Sequence, residues 1–244
     1  MDHLIEEAEP QVGVGVVASF DFDRDRELWR WAPGNVTLFI ARTDQVSFAD
    51  DLDLVSALNR PACVERPTRE VCAVGAKAVV FLCTAGSFVG GVERERALRD
   101  AMLGQGAPQA LTTAGAVVDA LGAVGAGRVA VAHPYEPPVG RRLREFLTES
   151  GLEVVSDTAL GLRSIKEVYD VPAAHVAELI RAADHPEADA VFVSCTALPT
   201  YDLIAPLEQE LHKPVITANQ ATVWAALRAL EMTAIGPGQT LLGG

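Results

Sequence analysis

Two cysteines stand apart by their position. The run Ala-Val-Val-Phe-Leu-Cys-Thr-Ala over Ala78–Ala85 returns 112 residues later as Ala-Val-Phe-Val-Ser-Cys-Thr-Ala over Ala190–Ala197. A thiolate is a nucleophile or a base and a thiol is an acid, so a cysteine pair can work on two atoms of one molecule. Both runs are apolar and rich in β-branched residues, as strands buried on both faces read. Each ends in Cys-Thr-Ala, with Gly86 or Pro199 close behind. Equivalent strand ends can face each other across a cleft and bring Cys83 and Cys195 to the two sides of a small ligand. A helix beginning at each thiol would supply free N–H groups and a positive dipole, which lower a cysteine pKa. The expectation is an unequal pair, one partly thiolate at neutral pH and one protonated. Packing is the plain alternative, since a free cysteine behaves as a small buried hydrophobe. That reading suits Cys63 and Cys72, in and just before an expected helix over Thr68–Gly75. For Cys83 and Cys195 the symmetric recurrence favours function.

Other polar groups fall near expected strand ends. Thr84 and Thr196 can donate to a carboxylate alongside the backbone of Ala85 and Ala197, or simply close turns. Tyr135, in His133-Pro134-Tyr135-Glu136-Pro137-Pro138, is placed as a hydrogen-bond donor or as a surface aromatic pinned by prolines. Its counterpart by the repeat is Phe20, which leaves Ser19 and Asp21 as the polar groups of the first loop. Asp21 serves equally well as N-cap of a helix over Arg24–Trp31. His133 reads as a solvated loop histidine. Gly13-Val14-Gly15 sits inside a strand and lacks a third glycine, so it is no dinucleotide fingerprint; close helix packing explains it better. The four cysteines, Cys63, Cys72, Cys83 and Cys195, lack zinc spacing and contain no Cys-x-x-Cys.

The elements that must hold these groups repeat as well. Val12–Ala18 matches Arg128–His133, Arg26–Trp31 echoes Arg141–Phe146, and Pro108–Thr113 with the helical Ala114–Ala123 resembles Pro214–Thr217 with Ala221–Leu230. Matches in one order argue duplication of a unit slightly over 100 residues long. Strands are expected near Val12–Val17, Val36–Arg42, Ala78–Leu82 and Gln109–Thr112, then Val129–Ala132, Glu153–Ser156, Ala190–Ser194 and Val215–Thr217. Helices alternate with them. This pattern predicts an α/β fold of two pseudo-symmetric doubly wound lobes, each with a four-stranded parallel sheet. Ligands in such sheets bind beyond the carboxyl ends of the strands, and both Cys-Thr-Ala segments lie there. The first lobe is expected over residues 1–114, completed by 219–244, and the second over 115–218.

Composition narrows the partners. At 49% hydrophobic, the 244-residue chain can bury substantial cores. A net charge of −13 leaves no basic footprint for nucleic acid. No apolar run approaches the ~20 residues of a membrane span. The acidic start carries no export signal, so a cytoplasmic location is expected. There, thiols stay reduced and no disulfide framework is expected.

The chain resembles the aspartate/glutamate racemase superfamily, and within it the branch of maleate cis-trans isomerases and arylmalonate decarboxylases. The segments that carry the resemblance are Cys83-Thr84, Arg128–Tyr135, Gly161-Leu162-Arg163-Ser164 and Ser194-Cys195, and it spans Val12 to about Leu230. It implies that Tyr135 binds a substrate carboxylate, that backbone N–H groups of the cysteine loops hold the acid groups, and that no metal or organic cofactor takes part. It also implies a homo-oligomer, dimer or tetramer. The decarboxylases typically have glycine at the first cysteine position, so Cys83 points away from them. Amino-acid racemases usually show Cys-Asn-Thr and Cys-Thr-His where this chain has Cys-Thr-Ala twice. The maleate isomerases fit best, although their asparagines in the first loop and the Gly-Leu segment are replaced here by Ser19 or Asp21 and by Arg163-Ser164.

By this resemblance Cys83 is the nucleophile and Cys195 the acid of a cofactor-independent isomerase acting on maleate or a related small unsaturated dicarboxylate. Ser19, Asp21, Thr84, Ala85, Tyr135, Ser164 and Thr196 are then the substrate-binding candidates. Racemisation by two-cysteine proton transfer and malonate-type decarboxylation are the enzymatic alternatives. A small-ligand binding module is the non-enzymatic one, and two symmetric strand-end cysteines would serve no purpose in it.

Overall fold

Strings such as Val14-Gly15-Val16-Val17-Ala18 and Ala78-Val79-Val80-Phe81-Leu82 can hide alternate side chains only if both faces of the sheet are covered, and they are almost wholly buried. The computed structural model describes residues 10–47 and 51–243. These residues form eight strands, eleven α-helices and a terminal 3-10 turn. In chain order the first half runs β1 (Val12–Ala18), α1 (Asp25–Trp29), β2 (Val36–Arg42), α2 (Asp51–Leu58), α3 (Pro61–Ala73), β3 (Ala78–Leu82), α4 (Thr84–Phe88), α5 (Gly91–Gly104), β4 (Ala110–Thr112) and α6 (Thr113–Ala123). The second half runs β5 (Arg128–His133), α7 (Pro137–Glu149), β6 (Glu153–Ala159), α8 (Ile165–Tyr169), α9 (Ala173–Ala183), β7 (Ala190–Val193), α10 (Tyr201–Leu211), β8 (Val215–Thr217) and α11 (Ala218–Arg228).

The halves form separate four-stranded sheets of the same topology, β2-β1-β3-β4 and β6-β5-β7-β8, parallel throughout. The expected strands are thus present within one to three residues. In both sheets the cysteine-bearing strand, β3 or β7, lies next to the first strand of its half, so the loops after β1, β3, β5 and β7 emerge side by side.

Helices depart further from expectation. The helix read over Arg24–Trp31 is short, Asp25–Trp29, while its counterpart α7 has 13 residues. The helix read over Thr68–Gly75 starts at Pro61, where proline suits a first turn, and continues through Pro67; Cys63 and Cys72 both sit on it. Additional helices, α2, α4 and α8, stand around the carboxyl ends of the strands.

The last helix of each half packs across the molecule. From α6, Ala114, Val117, Ala120 and Leu121 join Val129, Val131, Phe192 and Ile216 of the second sheet in one core cluster. From α11, Val223, Ala226 and Leu227 cluster with Val14, Val16 and Val80 of the first. Thr222 of α11 donates to Thr113 of α6 at 2.9 Å. The tail continues onto the first half, with Ile235 N–H bonded to Trp31 O and the Trp31 indole donating to Gln239.

Gly15 has the packing role expected of it. A Cβ there would lie 2.6 Å from Cγ2 of Val71 on α3 and 3.1 Å from Cβ of Ala76. Gly15→Ala is therefore expected to push α3 off the sheet and lower stability by about 1–3 kcal/mol in chemical denaturation; an unchanged midpoint would mean that the helix yields freely. No helix among the described residues is long and apolar enough to cross a membrane.

Candidate active site

The strand-end loops enclose a cavity of about 60 Å³ lined by Ser19, Asp21, Cys83, Thr84, Ala85, Tyr135, Cys195, Thr196 and Ala197. Every substrate-binding candidate except Ser164 is in this group. Neither cysteine is in a disulfide.

Cys83 is the N-cap of α4, and its sulfur accepts from Gly86 N–H at 3.4 Å and from the Ser19 hydroxyl. Gly86 is required there, because a Cβ would stand 2.9 Å from that sulfur. The Ser87 hydroxyl bonds Cys83 O and Thr84 O at 2.8 Å each, and Asn59 bonds Gly86 O at 2.7 Å, which fixes the turn from behind. The Thr84 hydroxyl is buried with no partner among the described residues, a donor left for a ligand.

The expected helix-terminus activation is not what decides the Cys83 pKa. Burial, reinforced by the Asp21 carboxylate, pushes the thiol up to about 12, against the opposing pull of Gly86 N–H. One N–H and a five-residue helix are too little to offset full desolvation. In the unliganded cleft Cys83 is a thiol.

Cys195 is held differently, and no helix starts beside it. Helix α10 begins only at Tyr201, beyond Pro199. The residue has φ of 112°, a conformation that costs a non-glycine residue roughly 1–3 kcal/mol and must be imposed by its surroundings. Ser194 N–H bonds Ala132 O at 2.8 Å before the strain. After it, Asn219 donates to Thr196 O at 3.0 Å and Arg24 Nε to Ala197 O at 2.9 Å.

Tyr135 is buried, not a surface aromatic. Its ring meets Phe88 edge-on at 5.8 Å and stacks on His133 at 5.2 Å. Its hydroxyl lies 3.1 Å from Ser194 Oγ and reaches the Cys195 thiol. Burial first, and the neighbouring Cys195 second, raise its pKa well above the usual value, so it remains an O–H donor. His133 is likewise buried, contrary to the solvated role expected. It ends β5, accepts Tyr135 N–H on Nδ1 at 3.2 Å, and brings Nε2 to 2.9 Å from Asp157.

Asp21 is not an N-cap. Arg24 occupies that position at α1 without a side-chain bond, and Asp21 faces the cleft instead. Ser164, by contrast, is exposed as the N-cap of α8 in a capping box with Glu167, outside the cavity wall. What α8 contributes is its apolar face: Ile165, Val168 and Tyr169 close one side, and Leu54, Val55 and Leu58 of α2 form another wall. The Tyr169 hydroxyl donates to Asp21 O at 2.5 Å, and Arg24 Nη2 donates to Tyr169 O at 3.0 Å. Arg24 thus ties the first half to both α8 and the Cys195 loop. The i, i+3, i+4 spacing of Ile165, Val168 and Tyr169 is the sequence signal that could have identified this wall.

A wider groove of about 350 Å³ lies beside the site, lined by Arg24, Glu27, Arg30 and Tyr201 among others. Its charges already serve the fold. Glu27 accepts from Thr200 and Tyr201 N–H groups, and Arg30 pairs with Asp202. Among the described residues no cluster of three His, Cys, Asp or Glu side chains could hold a metal ion.

Duplicated parallel sheets with paired cysteines between them define an α/β enzyme of the aspartate/glutamate racemase type. Residues 59–242 match the family described as arylmalonate decarboxylase, and the chain belongs to that family. It is 30% identical over 180 residues to a maleate isomerase of Nocardia farcinica, covering 71% of this chain and 72% of that protein. It is 33% identical over 156 residues to the arylmalonate decarboxylase of Bordetella bronchiseptica, covering 63% and 65%. A solved structure of Nocardia farcinica maleate cis-trans isomerase, a cysteine-to-serine mutant with a covalently bound succinylcysteine intermediate, superimposes with a TM-score of 0.82 at 25% identity over 95% of this chain and 98% of that one.

Arg24 is the positioning group that this arrangement singles out. Arg24→Ala removes two charge-assisted bonds and frees the strained Cys195 loop, so kcat/KM is expected to fall about tenfold or more. Arg24→Lys should recover little, since an ammonium cannot span two carbonyls set in different directions. Full activity in Arg24→Ala, with the fold intact by circular dichroism, would show that the loop holds itself.

Proposed function

We propose that the protein is a cofactor-independent cis-trans isomerase of a small unsaturated carboxylic acid of the maleate type, working through Cys83 and Cys195. The observation that carries this reading is the presence of a thiol on each strand-end loop of one small cavity. A decarboxylase that only protonates an intermediate needs one. The cavity also matches a substrate of few heavy atoms.

Isomerisation requires that the C=C bond become single. The Cys83 thiol first gives its proton to solvent; the resulting thiolate adds to one alkene carbon while the Cys195 thiol gives its proton to the other. The C–C bond rotates, Cys195 takes the proton back, and the Cys83–carbon bond breaks to restore the alkene in the trans form. Holding both sulfurs against one alkene supplies an orientation advantage of up to ~7–11 kcal/mol. The protonated Tyr135 hydroxyl, the unpartnered Thr84 hydroxyl and the backbone around Ala85 and Thr196 bind the carboxylate and the enolate-like charge that develops on it. The succinylcysteine in the Nocardia farcinica structure is the adduct this route requires, and it supports the assignment.

Proton NMR in D2O with maleate, fumarate, an arylmalonate and both enantiomers of aspartate and glutamate tests the proposal. Conversion of the cis to the trans alkene supports it. Carbon dioxide loss from the arylmalonate, or α-deuteration of an amino acid without alkene isomerisation, would replace it.

A further inference from the structure

Among the described residues the cleft contains one charged side chain that the chemistry above does not use. Asp21 sits in the loop between β1 and α1, and its carboxylate borders the cavity beside Cys83 and Tyr169. Its backbone carbonyl is engaged by the Tyr169 hydroxyl, which holds the loop in place. Its carboxylate receives no hydrogen bond and forms no ion pair among the described residues, although arginines nearby are each committed elsewhere. Arg24 bonds Ala197 O and Tyr169 O, and Arg42 pairs with Asp25. Among the described residues no Lys, Arg or His borders the cavity. The donors around it are Tyr135, Thr84 and backbone N–H groups, while the Ser19 hydroxyl is engaged with the Cys83 sulfur.

Such a lining treats the two ends of a ligand unequally. Neutral donors suit one carboxylate. A second carboxylate brought against Asp21 would meet like charge with no cation to screen it, in a small and largely apolar enclosure. An N–H group there would meet an acceptor that lacks a partner. From the unpartnered Asp21 carboxylate in a cation-free cleft we infer that Asp21 selects substrates with a single carboxylate and an N–H donor at the other end, so that the preferred substrate is a cis-alkenoic acid monoamide rather than a dianionic cis-diacid. This rests on the isomerase reading for the reaction but not for the recognition. A carboxamide fits better than an ammonium group, because an electron-withdrawing carbonyl on each alkene carbon leaves the bond open to thiolate addition. Selectivity of this kind comes as much from the repulsion of the wrong ligand as from attraction of the right one.

The test compares maleate with its monoamide, maleamate, on the wild-type protein and on Asp21→Asn, whose amide can donate to a carboxylate at nearly unchanged size. Wild-type kcat/KM is expected to favour the monoamide by about tenfold or more, and Asp21→Asn to shift the preference toward maleate by a similar factor. Calorimetric titration of the wild type with succinamate and with succinate, which contain no alkene and cannot react, reads recognition alone. Tighter binding of succinamate, lost in Asp21→Asn, upholds the inference even if neither alkene is isomerised, in which case only the isomerase reading fails. Tighter binding of succinate by the wild type, or equal preference in wild type and Asp21→Asn, overturns it.

Discussion

Loss of either cleft thiol is expected to abolish turnover. In the proposed mechanism Cys83→Ala removes the nucleophile and Cys195→Ala the acid, and each should reduce kcat by about three orders of magnitude or more, because groups acting in one step are not replaced by their partner. Cys195→Ser should trap substrate on Cys83 as an adduct visible in the intact mass. The remaining cysteines provide the control. Cys63 donates to Ala57 O on the outer side of the first half, and Cys72 packs at the edge of the core under α3, so Cys63→Ala and Cys72→Ala are expected to change stability and leave kcat nearly as it was. The raised Cys83 pKa sets the pH dependence. The thiolate is the reactive form, and with the pKa pushed up to about 12 its fraction increases about tenfold per pH unit across the neutral range. The kcat/KM of the wild type should therefore climb with pH. A flat profile between about pH 6 and 9 would mean that ligand binding itself drives the proton off the sulfur. Near wild-type isomerisation by Cys83→Ala would end the two-thiol mechanism. Decarboxylation of an arylmalonate by Cys83→Gly would move the chain toward the decarboxylases.

Tyr135→Phe is the second large effect. The hydroxyl is buried and protonated, and it sits between Ser194 and Cys195. A hydrogen bond from it to a charged acceptor contributes about 1.5–3 kcal/mol, so kcat/KM is expected to fall roughly 10- to 150-fold. The ring contacts with Phe88 and His133 survive the change, and the melting temperature should move little. Unchanged kinetics would place the substrate carboxylate elsewhere in the cleft.

The sheets were legible because parallel strands covered on both faces cannot be anything but continuous apolar runs, and duplication displayed each run twice. The Cys83, Cys195 and Tyr135 positions followed from those strand ends. Helices were harder to read. α3 runs on through Pro67, a residue that reads in the sequence as a helix breaker, and all five residues of α4 are buried, which leaves no amphipathic period to detect. Beyond the expectation that residues 219–244 complete the first lobe and that the cysteine loops face each other, the side-chain contacts between the halves were not legible. Nothing local marks Arg24 as the partner of Ala197, 173 positions away, or Tyr169 as the partner of Asp21. Cys195 looked equivalent to Cys83 in the repeat, yet its positive φ and the absence of a helix behind it arise from how the Thr196–Pro199 turn is anchored. Ser164 was the converse case. A residue type suited to binding is equally suited to capping, and here the helix takes it.

The exchange of α6 and α11 between the sheets also bears on how the chain acquires its structure. Each half-sheet depends for one of its covering layers on the last helix of the other half, so neither half alone buries both faces of its sheet. A ribosome releasing this chain exposes the second face of the first sheet until residues beyond Ala218 emerge, and the nascent first half must be sheltered or wait. Once closed, the molecule has no seam along which one half can melt alone. Denaturation should then be a single cooperative transition, reported alike by Trp31 in the first half and by far-ultraviolet dichroism of the whole.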